Sequence, residues 1–267
     1  MADLPTALAL FDQFKKASQE EPLDASKALS LLAQLKIAMT KFTSLPPSSV
    51  QSPTMQQELL FAREVLELAT MLSIRMQDLA AIERNVAQLK TYYFDYSALL
   101  QLTPSQRQFP ILGLNLLRLL AQNRIAEFHT ELELISQDHY SNVYIKFPIL
   151  IEQYLMEGSY NKIVSARDDI PADSYRFLMD ILLHTVRDEI ADCTQKAYEF
   201  VPVADMMRTL LMFTSDSEFQ TYVKQRGWRL ENGLVHFQSK ADGRLEVPSL
   251  KLITQTLAYA KELERIV

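Results

Sequence analysis

The sequence predicts a mainly α-helical protein with an N-terminal helical-repeat solenoid of the TPR or HEAT type, a winged helix and a C-terminal helix. Only five of the 267 residues are glycines, so most of the chain lacks the residue that tight turns and phosphate-binding loops require. Apolar residues recur at helical spacing through most of the chain. Near its C-terminal end, two short helical patterns precede Asn232-Gly233, a pair that strongly favours a β-hairpin.

Residues 1–200 are predicted to form paired antiparallel helices joined by short links. In the second helix, Leu29, Leu32, Leu35 and Met39 form one apolar stripe. The segment around Gly158 resembles the joint of a tetratricopeptide unit, but no fixed period recurs, so the repeats are degenerate. The predicted helices cover residues 4–17, 24–42, 54–74, 76–100, 110–121, 125–134, 145–156, 160–166 and 171–198.

Residues 201–247 have the element order of a winged helix. A short helix over 203–213 is followed by a second, for which Ser215 and Glu218 form a capping-box pattern and Gly227 is the C-cap. The stretch from Trp228 onward is predicted to form a two-stranded wing, because apolar and charged residues alternate around the Asn-Gly turn. A last helix over 249–266 dominates the third predicted domain, residues 248–267.

The composition excludes several classes of protein. The net charge is −6, and Cys193 is the one cysteine, so a disulfide framework or a multi-cysteine zinc site is excluded. No apolar run reaches the roughly 18 residues of a membrane span, and no signal peptide is apparent at the N-terminus. Residues 201–247 carry as many acidic as basic side chains, which argues against winged-helix binding to DNA. We therefore expect a reducing, intracellular compartment and no nucleic acid or membrane partner.

No catalytic motif is found in the sequence. It contains no phosphate-binding P-loop, no Gly-x-Ser-x-Gly elbow and no His-x-His or His-Glu-x-x-His metal motif. His184 and Cys193 are nine positions apart on one predicted helix, so they should lie on different faces, with the thiol buried. The adjacent carboxylates Asp168-Asp169 and Asp188-Glu189 diverge on a helix surface. We expect no enzyme activity, no catalytic residues, no cofactor and no metal site.

The C-terminal helix is more apolar than docking on one neighbour requires. Leu250, Ile253, Leu257 and Ala260 form one stripe, and a second stripe is offset from it by some tens of degrees. Two interpretations remain open at this point. The helix packs on its own domain, or part of it joins a bundle formed with other chains.

Several ordered blocks resemble one protein family. They are Asn142-Val-Tyr-Ile-Lys-Phe-Pro148, Glu152 through Lys162, Ile170 through Tyr175, Asp180-Ile-Leu-Leu183, Arg187 through Ala191, Lys196-Ala-Tyr-Glu199, Arg226-Gly-Trp228, Tyr259-Ala260 and Leu263 through Val267. Over roughly 126–267 the chain resembles the PCI-domain subunits of the proteasome lid. The segments 136–140 and 239–246 match least well.

The resemblance implies a non-catalytic scaffold subunit of the lid of the 26S proteasome regulatory particle, supporting ubiquitin-dependent degradation. Its implied partners are other PCI and MPN subunits and the base of the particle, in a hetero-oligomer of the cytoplasm and nucleus. Alternatives are a subunit of the signalosome or of translation initiation factor three, and a winged-helix protein that binds nucleic acid. By position, the partner-binding residues implied are Trp228, Leu230, Leu234, Val235 and Phe237 in the wing, and Leu257, Leu263, Ile266 and Val267 in the C-terminal helix.

Overall fold

The mainly α-helical fold is confirmed by a computed structural model of the protein. The structure describes residues 4–19, 24–42, 45, 55–96, 105–167, 169–211, 213, 215–237 and 249–265. It divides into two compact units, residues 1–186 and 187–267. The three-part division of the sequence stays a prediction. Within the described ranges there are twelve α-helices and three short strands.

The helices follow the predicted order with small shifts at their ends. Those of the first unit are α1 (Leu4–Gln19), α2 (Ala25–Met39), α3 (Met55–Arg75), α4 (Leu79–Lys90), α5 (Gln108–Ala121), α6 (Ile125–Glu133), α7 (Val143–Met156), α8 (Tyr160–Ala166) and the start of α9 (Arg176–Ala197). A π-helical turn, Thr91–Asp95, continues α4, and short 3₁₀ turns cover Gln137–His139 and Asp173–Tyr175. Helices pack as neighbouring pairs, α1 with α2, α3 with α4 and α5 with α7.

The centre of the first unit is α5, in which every residue from Ile111 to Ala121 is buried. Gly113 lies where α7 crosses, and a Cβ there would stand 2.3 Å from the backbone oxygen of Tyr144. Pro148, one turn later in α7, has no N–H to donate to that oxygen. The hydroxyl of Tyr175 closes the same site by donating to the Pro110 carbonyl at 2.9 Å. Close helix packing at this point therefore requires glycine.

In the described part of the chain, four helices end on a residue in the left-handed conformation. The next N–H then reaches back five residues, as Asp78 does to Ser73 at 3.0 Å, which satisfies a terminal carbonyl. This explains why α4 begins at Leu79 rather than at 76, with the Asp78 carboxylate accepting from the Ala81 N–H. The four left-handed residues are Gln77 (φ 59°), Asn123 (φ 56°), Gly158 (φ 68°) and Gly227 (φ 71°).

The second unit contains the predicted winged helix with one additional strand. Its elements are β1 (Phe200–Pro202), α10 (Val203–Asp205) with a π-helical turn (Met206–Leu210), α11 (Asp216–Arg226), β2 (Arg229–Glu231), β3 (Leu234–His236) and α12 (Ser249–Glu264). All strand pairs are antiparallel, in the order β1-β3-β2. Strand β1 was not predicted, because its three residues, which include Pro202, are too few to show an alternating pattern.

The prediction of a capping box at the start of α11 is wrong, because the hydrogen bond that defines it does not form. Ser215 is the N-cap by position, but its side chain makes no cap bond. Its hydroxyl lies 2.7 Å from that of Ser217 instead. Gly227 does cap the other end of α11, as predicted.

Candidate interaction surfaces

The wing is a tight hairpin whose turn residues fix its register. Asn232 and Gly233 both have positive φ, 50° and 75°, as a two-residue type I′ turn requires. Leu230 consequently lies opposite Val235, and Val235 lies opposite Val201 on the other side. The central strand β3 is thus paired on both sides, and β2 is an edge strand of this sheet.

Three of the five wing residues singled out from the sequence lie in the core of the second unit. Trp228 is 6 % exposed, Val235 0 % and Phe237 7 %. The indole of Trp228 packs edge-on against Phe237, with ring centroids 5.0 Å apart, and against Tyr222 at 6.0 Å. These side chains attach the sheet to α11.

The other two wing residues lie on opposite faces of the sheet, because Leu230 is paired with the inward-facing Val235 and Leu234 is adjacent to Val235 in β3. Leu230 is 47 % exposed and Leu234 is half-buried. Because the residues that flank a two-residue turn bond to each other, the next pair directs its backbone groups away from the partner strand. The N–H and C=O of Leu230 therefore point to the open edge of β2. This edge combines free backbone groups with an exposed apolar side chain.

Polar contacts hold α11 against the second-unit part of α9. Arg226 forms ion pairs with Asp188, at 2.6 Å, and with Asp192. The hydroxyl of Tyr222 donates to Asp188 at 2.7 Å, and burial together with this hydrogen bond raises the pKa of Tyr222. The base of the wing is thus fixed by both aromatic packing and charge.

Helix α12 exposes more large apolar side chains than any other described element of the second unit. Every one of its described residues is exposed, including Leu257 at 65 % and Leu263 at 49 %. Ile266 and Val267, the other two residues singled out in this helix, lie outside the described residues. Its exposed large apolar side chains are Leu250, Leu252, Ile253, Leu257, Tyr259 and Leu263.

Sequence reasoning missed Phe200 as a surface residue. Its ring is 54 % exposed and lies 6.0 Å from the His236 ring across the β1–β3 pair. A single apolar residue between Glu199 and Val201 gave no signal that its side chain would face solvent. Only the antiparallel register, which turns Val201 inward, assigns Phe200 to the outer face.

Within the part of the chain that the structure describes, no catalytic or metal constellation was found. His, Cys, Asp and Glu side chains form no group of three that could hold a metal ion. A groove of about 570 Å³ in the first unit contains Arg75 and Asp180, but these bind the Ser18 carbonyl and Arg167 respectively. No described helix combines the length and apolar character needed to cross a membrane.

Cys193 corrects a smaller expectation. The thiol was predicted to be buried, and it is exposed. Ile190, Ala191 and Thr194 are the buried residues of this part of α9, and position 193 falls beside that stripe rather than on it. His184 is exposed as well.

Comparison with known proteins identifies the family. A family model described as the CSN8/PSMD8/EIF3K family matches residues 106–244. The chain belongs to this family. The match covers α5 through the wing, the same part of the chain that carries most of the sequence blocks quoted above.

Relatives within the CSN8/PSMD8/EIF3K family extend the match to nearly the whole chain. The 26S proteasome non-ATPase regulatory subunit 8 homolog A of Arabidopsis thaliana is 47 % identical over 261 residues, covering 96 % of both chains. The 26S proteasome regulatory subunit rpn12 of Schizosaccharomyces pombe is 32 % identical, over 88 % of this chain and 91 % of its own. RPN12 of Saccharomyces cerevisiae is 30 % identical, over 91 % and 93 %. The resemblance to proteasome subunits inferred from the sequence is thereby confirmed.

Proposed function

We propose that the chain is a non-catalytic structural subunit of the lid of the 26S proteasome regulatory particle. It would support lid assembly and so ubiquitin-dependent protein degradation. Relatives over nearly its whole length carry the names of non-ATPase proteasome subunits. The observation that carries the proposal is α12, a helix of 16 residues without a buried residue.

The exposed apolar side chains of α12 would gain free energy by packing against a partner. Burying one large apolar side chain is worth about 1.5–3 kcal/mol, and this helix exposes six. An isolated helix of this length is marginal in water, because helix stability in proteins comes mainly from packing of an apolar face. Its two offset stripes suit a site between several helices rather than against one. We therefore assign α12, with Leu257 and Leu263 at its contact, to a bundle with helices of other subunits.

The edge of β2 is the second proposed contact. A strand of a neighbouring subunit can bond to the N–H and C=O of Leu230, while its side chains, which alternate between the two faces, reach Leu230 on one face and Leu234 on the other. Trp228, Val235 and Phe237 position this edge from inside the unit. The partner is thus recognised through backbone hydrogen bonds and a small apolar contact.

The partners of this proposal are other PCI and MPN subunits of the lid, with further contacts to the base. The chain acts in a hetero-oligomer of the cytoplasm and nucleus, without a cofactor, metal ion or nucleic acid. Its role is to hold its neighbours in place, while chemistry is left to other subunits.

The deciding experiment removes apolar surface from α12. The double variant Leu257→Gln and Leu263→Gln is compared with Lys251→Gln and Lys261→Gln, which changes the same helix without removing apolar side chains. Each tagged chain is expressed in cells that lack their own copy, and native electrophoresis with mass spectrometry follows its incorporation. We expect the leucine variant to accumulate as a free folded chain and the lysine variant to enter the 26S particle. Equal incorporation of both would contradict the role of α12.

The same purification separates the alternatives. Recovery of the unmodified chain with signalosome subunits or with translation initiation factor three would replace the lid assignment with a sibling complex. A chain retained on DNA, with retention falling steeply as salt increases, would favour the nucleic-acid alternative.

A further inference from the structure

Helix α2 has a second stripe of apolar side chains that is exposed among the described residues of its unit. Its inward stripe, Ala28, Leu32, Leu35 and Met39, is buried. About 90° or more around the helix, Leu29, Ala33 and Ile37 follow one another at intervals of four residues and are exposed, Ile37 to 62 %. The α1–α2 pair begins the helix stack, and in stacked helical repeats the outer face of a terminal pair is ordinarily polar.

An exposed cation, Lys36, lies beside the outer stripe. Lys36 is one position from Ile37, and its ammonium donates to the Asn85 side-chain oxygen at 3.4 Å. Asn85 is itself buried and donates to the Ser73 hydroxyl at 3.2 Å, so the acceptor is anchored in the helix layer beneath. The hydrogen-bond partner of Lys36 is therefore a neutral amide, so no described partner compensates its charge.

A second cation, Arg84, adds to the positive charge at this site. Arg84, exposed on α4, acts on Lys36 electrostatically, and partial burial together with this like charge lowers the pKa of Lys36. Neither cation forms an ion pair with any acidic residue in the described ranges. A carboxylate brought to this site would interact with both charges at once.

We propose that α2 docks an amphipathic helix of another subunit, whose aliphatic side chains cover Leu29, Ala33 and Ile37 and whose carboxylate pairs with Lys36 and Arg84. Two features specify this occupant. A stripe at four-residue intervals fits the ridge of a second helix packed along it. The uncompensated pair of cations adds the requirement for an acidic residue at one end of the contact. The inference rests on the proposed membership in a multisubunit particle and adds a contact that neither α12 nor the β2 edge supplies.

Crosslinking in the intact particle tests the occupant. Ile37 is replaced by the photoreactive p-benzoylphenylalanine, and the 26S particle is purified through a tag on an ATPase subunit. A matched chain carries the same replacement at Lys27, which lies on the opposite flank of α2. Illumination should link position 37, and not position 27, to a peptide with aliphatic residues at helical spacing and an Asp or Glu one turn away. No adduct at position 37 in incorporated chains, or an adduct to a peptide without an acidic residue, overturns the proposal.

Charge reversal tests the carboxylate. Lys36→Glu should lower the yield of the position-37 adduct by about tenfold or more, since one pairing is replaced by repulsion. Lys27→Glu, the matched reversal, should leave the yield unchanged. A Lys substitution of the acidic residue in the captured helix should restore the adduct to Lys36→Glu, which a loss of folding would not allow. An unchanged yield for Lys36→Glu contradicts the proposal.

These outcomes separate the docking site from the proposed function. A chain absent from the 26S particle contradicts the lid assignment, whereas the same crosslink in another purified complex still supports the α2 site. A chain that is present in the particle but forms no crosslinked adduct at position 37 contradicts the α2 site alone.

Discussion

Helices α5 and α12 have 14 and 16 residues and several leucines each, yet α5 is buried from Ile111 to Ala121 and α12 has no buried residue. The difference follows from the arrangement of polar residues around each helix. The polar residues of α5 beyond its first turn, Asn115 and Arg118, bond to each other through two guanidinium nitrogens, so all sides can pack. Helix α12 has charged residues such as Lys251 and Glu262 on one side, which keeps that side in water. Apolar content alone therefore does not decide whether a helix is buried, because burial also requires a partner surface against which the helix can pack.

The largest expected effect compares a leucine from each helix. Leu117 is fully buried, so Leu117→Ala should lower the free energy of unfolding by about 3 kcal/mol through lost contacts and the cavity left behind. Leu257→Ala should change it by less than about 0.5 kcal/mol in the isolated chain. Chemical denaturation of both variants checks this pair. A comparable loss for Leu257→Ala would show that α12 packs on its own chain.

A substitution at Gly113 tests whether the close approach of α7 to α5 depends on the missing side chain. Gly113→Ala should cost about 2 kcal/mol, because its Cβ would overlap the Tyr144 carbonyl and the Tyr175 hydroxyl. Gly158→Ala, where a Cβ meets open space but φ is positive, should cost about 1 kcal/mol from backbone strain alone. Thermal unfolding of the two variants tests the order. Equal losses would mean that crowding between α5 and α7 contributes little.

The wing permits the same comparison within one strand pair. Val235→Thr should destabilise the second unit by about 1–1.5 kcal/mol, because the new hydroxyl is buried at a fully enclosed position. Leu230→Thr should leave the melting temperature near that of the unmodified chain and reduce incorporation into the particle. Melting and native electrophoresis give the two readouts. The opposite assignment of the two effects would place the contact inside the unit rather than at the β2 edge.

The smallest expected effect is a gain in stability. Gln77 adopts a left-handed conformation that glycine adopts without strain, so Gln77→Gly should raise stability by about 0.5–1 kcal/mol. The matched change Gln220→Gly, inside α11, should lower stability by about 1 kcal/mol. Denaturation midpoints check both signs. A loss at Gln77 would indicate that its side chain makes a contact worth more than the strain.

Local patterns were sufficient for most elements, and they failed where distant residues decide. The helix at Tyr160–Ala166 has the bounds predicted for it, because its apolar spacing is contained within one short segment. Strand β1 was missed, because Phe200–Pro202 becomes a strand only by pairing with β3, more than thirty residues along the chain. The role of Gln77 was also missed, since glycine is the usual signal for a left-handed helix end.

The candidate sites show the same division. The sequence selected the wing and the C-terminal helix as contact regions, because alternation, the Asn-Gly turn and apolar stripes are periodic features of the chain itself. It did not separate Trp228, Val235 and Phe237 from Leu230 and Leu234, because both sets are apolar residues of one hairpin. Leu234 lies on the other face of the hairpin and Leu230 lies in its edge strand, so their exposure depends on which residues remote in sequence pack against the hairpin.

The sequence by itself determined the helical class, the position of the wing and the relationship to proteasome subunits, because these rest on local spacing and on ordered blocks of residues. Only the tertiary structure decided which apolar residues are core and which are surface, where Gly113 is required, and that Arg84 acts electrostatically on Lys36 beside an exposed stripe. The reason is physical. Periodicity fixes which residues share a face of a helix or strand, but burial and charge compensation depend on what packs against that face, and those neighbours come from distant parts of the chain.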